Sequence, residues 1–236
     1  MSSVRRNEWP QMHKSAIEDI MRPGNPKTEE EIWPHYGTPM AEYSAAFKPL
    51  LPEGDIKSFL ESRRQAGKPT LALDLFSGPE ALQSVSKEIN GGLAVGLAHD
   101  RQNFLRPCFS DRHIFTMSAD LTSQRTWRSV NSWVQTQEFS PVKAFDLIVD
   151  FAEGGYELVP QNLNIYYALL NDAYKVCSSD HGTMLLQIPT EAFAFPEVQQ
   201  FFQLLEQTPG IIFKRAGRTI RIDRLPESPD ELPKLI

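Results

Sequence analysis

The residues of this chain best suited to chemistry are carboxylates set at the ends of apolar runs. Asp74 lies in the run at 71–75, Asp100 follows the run at 93–98, Asp120 follows 114–117, and Asp150 closes 145–150. An ionised carboxylate offers two acceptor oxygens and a charge, so it can hold a pair of hydroxyls or an ammonium, or take up a proton. Glu153 and Tyr156 come shortly after Asp150, beyond Phe151. Among the histidines, His35 and His99 fall near these acids in the expected layout. His181 precedes its apolar run and so belongs to the opposite rim.

The elements that would carry these residues alternate. Residues 71–75 read as a strand, Ser77-Gly78 as a turn, 80–89 as a helix with Leu82, Val85, Ser86 and Ile89 on one face, and 93–98 as a second strand. Gly91-Gly92 ends that helix. Strand, glycine turn, helix and strand ending in an acid make half of a nucleotide-binding βαβ unit. Asp100 stands 26 residues after Asp74, near the offset of roughly 20 expected of a ribose-binding carboxylate. His99 beside it is then a ribose or structural contact. Residues 101–107 fit a short helix and 114–117 a third strand. The run at 145–150 suits a central parallel strand. A helix over 162–176, a strand over 183–188, an amphipathic helix over 196–207 and an antiparallel hairpin of 211–213 with 219–225 complete the series. Earlier, 40–47 and 56–64 read as helices, with Asp55 as the N-cap of the second. The fold expected is α/β, a doubly wound, mostly parallel sheet with a terminal antiparallel hairpin and an N-terminal helical extension.

Ligands on such sheets bind beyond the carboxyl ends of the strands, so Asp150, Phe151, Glu153 and Tyr156 are expected to face a reacting group there. Two nucleotide ligands fit the βαβ unit, with different charges. A dinucleotide sets a pyrophosphate on the helix N-terminus and needs bare glycines. Here the turn reads Gly78-Pro79-Glu80-Ala81. Glu80 would repel a pyrophosphate, and the G-x-G-x-x-G spacing is missing. S-adenosylmethionine has no phosphate and carries a sulfonium and an ammonium, so acids beside the turn suit it.

Asp74-Leu75-Phe76-Ser77-Gly78 resembles the start of the glycine loop of class I S-adenosylmethionine-dependent methyltransferases, and 169–189 resembles their helix-to-strand segment before the hairpin. The chain departs from that family at Glu80 and Ala81, where further glycines are usual. The resemblance implies S-adenosylmethionine as cofactor, held by Asp74, Phe76, Ser77, Gly78, His99, Asp100, Asp150 and Phe151. It implies that Asp120 meets the adenine amino group and Leu121 forms an apolar wall for the ring. By its own position, Asp120 reads equally as an N-cap for the helix starting near Ser123. The resemblance also implies a lid before the loop, for which His35, Tyr36 and Tyr43 supply aromatic and polar surface. Asp150 and Glu153 are the candidate acids or bases, with His35 a third.

Composition sets outer limits. Of 236 residues 41% are apolar and 23% charged, with a net charge of −6. That fits one α/β domain and argues against a broad nucleic-acid surface. No apolar run reaches the length of a membrane span, and no secretory signal is visible. A cytoplasmic protein is therefore expected. The two cysteines, Cys108 and Cys177, lack metal-ligand spacing, and no metal site is expected. The expected divisions are an extension over 1–54, a Rossmann-like domain over 55–225 and a tail over 226–236. The function expected is methyl transfer to a small molecule or a protein side chain. A catalytically silent cofactor-binding or interaction module is the alternative, and an NAD-linked oxidoreductase a more remote one.

Overall fold

A computed structural model describes residues 39–97, 104–111, 113–119, 121–138, 143–151, 163–188, 192–193 and 195–234. Its strands are β1 (Leu71–Leu75), β2 (Gly91–Leu97), β3 (Phe104–Asp111), β4 (Ile114–Ala119), β5 (Leu147–Asp150), β6 (Thr183–Gln187), β7 (Ile211–Ala216) and β8 (Thr219–Arg224). They form one sheet in the order β3-β4-β2-β1-β5-β6-β8-β7. The five strands from β4 to β6 in that order are mutually parallel. β8 runs antiparallel to both β6 and β7, which is the expected terminal hairpin.

The α-helices are α1 (Met40–Phe47), α2 (Ile56–Gln65), α3 (Glu80–Ser84), α4 (Gln124–Gln135), α5 (Leu163–Val176) and α6 (Pro196–Gln207). They cover both faces. One core joins α4, α5 and α6 to the sheet; the other joins α1, α2 and α3 to its opposite face. Alternating side chains divide each strand between the two: Leu71, Leu73 and Leu75 go to the first, Ala72 to the second. Met40, Tyr43 and Phe47 are fully buried in that second core, so α1 packs as part of the domain body. Asp55 caps α2, accepting from Ser58 N at 2.7 Å. At the amino rim Asp146 ties β1 to α2. Its Oδ2 accepts from Leu71 N at 2.9 Å, and Arg63 Nη2 meets its Oδ1 at 3.2 Å.

Three local expectations need correction. Residues 104–107 are not helical; they open β3, an outer strand antiparallel to β4. Pro107 explains the outcome, because a helix interior loses a hydrogen bond to proline while an outer strand tolerates it. The helix after β1 ends at Ser84 rather than near Ile89. Asn90 returns the chain to the amino rim, its Oδ1 accepting from Thr70 N and its N donating to Thr70 O, each at 2.8 Å. The tighter turns before it cover more length per residue than an α-helix, about 2.0 against 1.5 Å. Gly91 and Gly92 do not end a helix but begin β2. A Cβ on Gly92 would stand 2.8 Å from Leu82 Cδ1 and 3.3 Å from Ala72 O, so the close packing of α3 on the sheet favours glycine there.

Residues 226–234 are docked against the domain. Leu232 is 2% exposed, its N donates to Asn171 Oδ1 and its O accepts from Tyr167, both at 2.9 Å. No helix among the described residues is long and apolar enough to cross a membrane.

Candidate functional site

Asp74 and Asp150 stand at the carboxyl ends of β1 and β5, adjacent strands whose register sets Leu75 beside Asp150. From β1 the chain passes to β2 on one side, and from β5 to β6 on the other. This is the reversal of strand order where doubly wound sheets leave a crevice for ligands. Side-chain alternation puts Asp74 on the face of α1–α3 and Asp150 on the face of α4–α6. Both are 0% exposed.

The turn after β1 is strained. Phe76 has φ of +60°, a region that costs a bulky L-residue about 1–2 kcal/mol. Burial of its ring in the first core offsets that cost. The strained step folds Ser77 and Gly78 back at the strand end, where Ser77 Oγ donates to Gly78 O at 3.0 Å.

Tyr43 of α1 closes over this turn. Its hydroxyl donates toward the Asp74 carboxylate, 3.2 Å from Oδ2 and 3.4 Å from Oδ1. Its ring packs on Phe151, centroids 5.0 Å apart, and Phe47 meets the same Phe151 edge-on at 6.4 Å. Burial raises the Asp74 carboxyl to about 8; hydrogen bonds from Ser77 and Tyr43 lower it, and the Glu80 charge raises it. Burial, with the charge of Asp74 next, also raises the Tyr43 phenol. At neutral pH the dry Tyr43–Asp74 pair therefore favours the state in which the phenol and the carboxyl each keep a proton. Glu80 opens α3, a helix of five residues with Pro79 before it and no side-chain cap. Its Oε2 is buried with no hydrogen-bond partner among the described residues.

Leu121 is fully buried in the first core, and its carbonyl accepts from Trp127 Nε1 at 2.8 Å. Ser123 caps α4 through Arg125 N, so the capping role open to Asp120 is filled by another residue. His181 sits at the amino end of β6 with its carbonyl bound by Arg63 Nη1 at 3.0 Å, as its sequence position implies. Among the expected site residues, His35, Tyr36, His99, Asp100, Asp120, Glu153 and Tyr156 lie outside the described residues. The sequence reading missed the Tyr43–Asp74 bond, between residues 31 apart.

A scan against protein-family models found no match, and a search of curated proteins found none. Several solved structures overlap the chain loosely. The MycE methyltransferase of mycinamycin biosynthesis, with Mg and SAH, is 10% identical over 78% of this chain and 48% of that one, with a TM-score of 0.44. The chain therefore spans about half the length of MycE. Magnesium protoporphyrin IX methyltransferase from Synechocystis, with SAM, is 11% identical over 95% and 99%, with a TM-score of 0.43. A TehB-like SAM-dependent methyltransferase from Corynebacterium glutamicum is 14% identical over 78% and 95%, with a TM-score of 0.38. At TM-scores below 0.5 these likenesses decide nothing about chemistry; the side chains must.

Proposed function

We propose that this chain binds S-adenosylmethionine at the β1/β5 crevice and transfers its methyl group to a small molecule or an exposed protein side chain. The observation that carries the reading is the set of acids around one strand reversal. Asp74 and Asp150 are buried at the two strand ends, and Glu80 stands in the first turn of α3. A cationic ligand fits that set, and the buried, unpartnered Glu80 oxygen is an acceptor such a ligand can satisfy. A pyrophosphate does not fit: α3 is too short to supply much dipole, and Glu80 repels anions. This disfavours the NAD-linked reading.

Bound there, S-adenosylmethionine would supply a methyl group activated by its sulfonium. Asp74, Phe76, Ser77 and Gly78 would hold its amino-acid end. His99 and Asp100 would hold the ribose, with Asp120 and Leu121 at the adenine. The protein's task is alignment, since a direct displacement needs the acceptor held in line at contact distance. Asp150 and Glu153 would take the acceptor's proton where the acceptor must lose one. Phe151 and Tyr156 would wall the acceptor side, with His35 and Tyr36 above it in a lid formed by the residues before α1, while Tyr43 is held in the body of the domain. A cytoplasmic location is part of the same reading.

One observation favours the silent module as a second reading. Asp74 is fully covered and already bound by Tyr43, so a ligand ammonium must displace a phenol to reach it. Calorimetric titration with S-adenosylhomocysteine and, separately, NAD tests the binding claim. Binding of the first alone is expected; binding of NAD alone overturns the reading. Methyl transfer across an acceptor panel then separates enzyme from silent module.

A further inference from the structure

We propose that Gln187 is a binding residue for the methyl acceptor, its side-chain oxygen accepting a hydrogen bond from an O–H or N–H of that substrate. This rests on the methyltransferase reading and narrows it. Gln187 closes β6 and is 8% exposed, and its Oε1 is buried with no hydrogen-bond partner among the described residues. Buried amide oxygens are almost always satisfied in native proteins, because an unmet one destabilises the fold. A methionine of similar size would fill the same space without that penalty. The amide is therefore poorly explained by packing.

The described neighbours show why none of them satisfies it. In register across β8 stands Thr219, but its hydroxyl donates to Ala216 O at 2.8 Å. Side-chain alternation puts Gln187 on the face of Leu185, the core shared with α1 and with Phe151. Leu186 pairs with Asp150, so one further step along both parallel strands brings Gln187 level with Phe151. Phe151 in turn packs on Tyr43, whose hydroxyl holds Asp74. β1 and β6 flank β5, so Gln187 stands about 10 Å from the Asp74 strand, two strand spacings away. Asp74 marks the cofactor side of the rim, and Gln187 the far side, where an acceptor would lie.

The chemistry narrows the acceptor class. An oxygen acceptor in a dry place selects a hydroxyl or an amine. An ionised carboxylate brings no proton to that oxygen and gains no hydrogen bond from it.

The test uses the full chain saturated with S-adenosylhomocysteine and three matched probes: benzyl alcohol, benzylamine and benzoate. Wild type is expected to bind the first two in preference to benzoate. Gln187→Met is expected to lose that preference by about fivefold, the worth of one hydrogen bond. It should keep its S-adenosylhomocysteine affinity and melt no lower than wild type. Gln187→Glu, which retains acceptor oxygens, should keep the preference. Equal binding of the three probes by wild type, an unchanged preference in Gln187→Met, or a melting temperature lowered in Gln187→Met would each overturn the proposal while leaving the cofactor reading intact. Failure of wild type to bind S-adenosylhomocysteine would overturn both.

Discussion

The Tyr43 hydroxyl lies 3.2 Å from Asp74 Oδ2, joining α1 to the end of β1, and both residues are sealed from solvent. The pair makes α1 part of the candidate site and gives that site a pH dependence.

Stability is expected to fall as pH rises through the Asp74 titration. Burial first, and the Glu80 charge after it, raise this carboxyl to about 8 in the folded protein, against about 3.9 in an unfolded chain. The folded state therefore keeps a proton that the unfolded state releases between these values. The stabilisation is complete below about pH 4 and is lost as pH rises through about 8. Asp74→Asn removes it. Melting curves of wild type and Asp74→Asn from pH 5 to about 9 should converge or cross as wild type weakens. Parallel curves would show that Asp74 is ionised throughout. Asp146, which burial also raises, is present in both proteins and cancels in the difference.

Tyr43→Phe keeps the ring against Phe151 and deletes only the hydroxyl. A loss of about 1 kcal/mol is expected in denaturant unfolding. The Tyr43 hydrogen bond lowers the Asp74 titration, so in the variant the stability fall should move to higher pH. An unmoved pH profile would mean that the hydroxyl does not reach the carboxylate in solution.

Two glycines with positive φ should respond differently to alanine. Gly217, φ +59°, has open space where a Cβ would go; Gly210, φ +77°, would drive one to 2.3 Å from Ser228 N. Gly217→Ala should cost about 1 kcal/mol, the backbone penalty alone. Gly210→Ala should cost clearly more, by about 1–3 kcal/mol of overpacking. Thermal melts of the two variants decide it; equal losses would place Ser228 away from Gly210.

Leu232→Ala tests the docking of the segment after β8. Leu232 is buried in the first core, and truncation of such a residue costs about 2–5 kcal/mol. A change under about 0.5 kcal/mol, the usual range for surface sites, would show that the segment is undocked in solution.

The parallel strands, the hairpin and the placement of Asp74 and Asp150 at strand ends were legible in the sequence. These follow from local signals: apolar runs of strand length, glycine turns, and helical periodicity such as that of Leu163–Val176. The location of the candidate site was legible as well, because carboxyl ends of strands are fixed by chain direction alone. Only the tertiary structure decided the rest. Residues 104–107 join a strand because β4 offers a partner edge, and no local pattern encodes that edge. α3 stops early because Asn90 is pinned to Thr70. Tyr43 meets Asp74 and Leu232 meets Asn171 through contacts between distant parts of the chain, formed as helices dock on a finished sheet. Gln187 falls on the face of Leu185 rather than in the opposite core because strand alternation assigns faces one residue at a time, and only the settled register of β5 with β6 fixes which residue falls where.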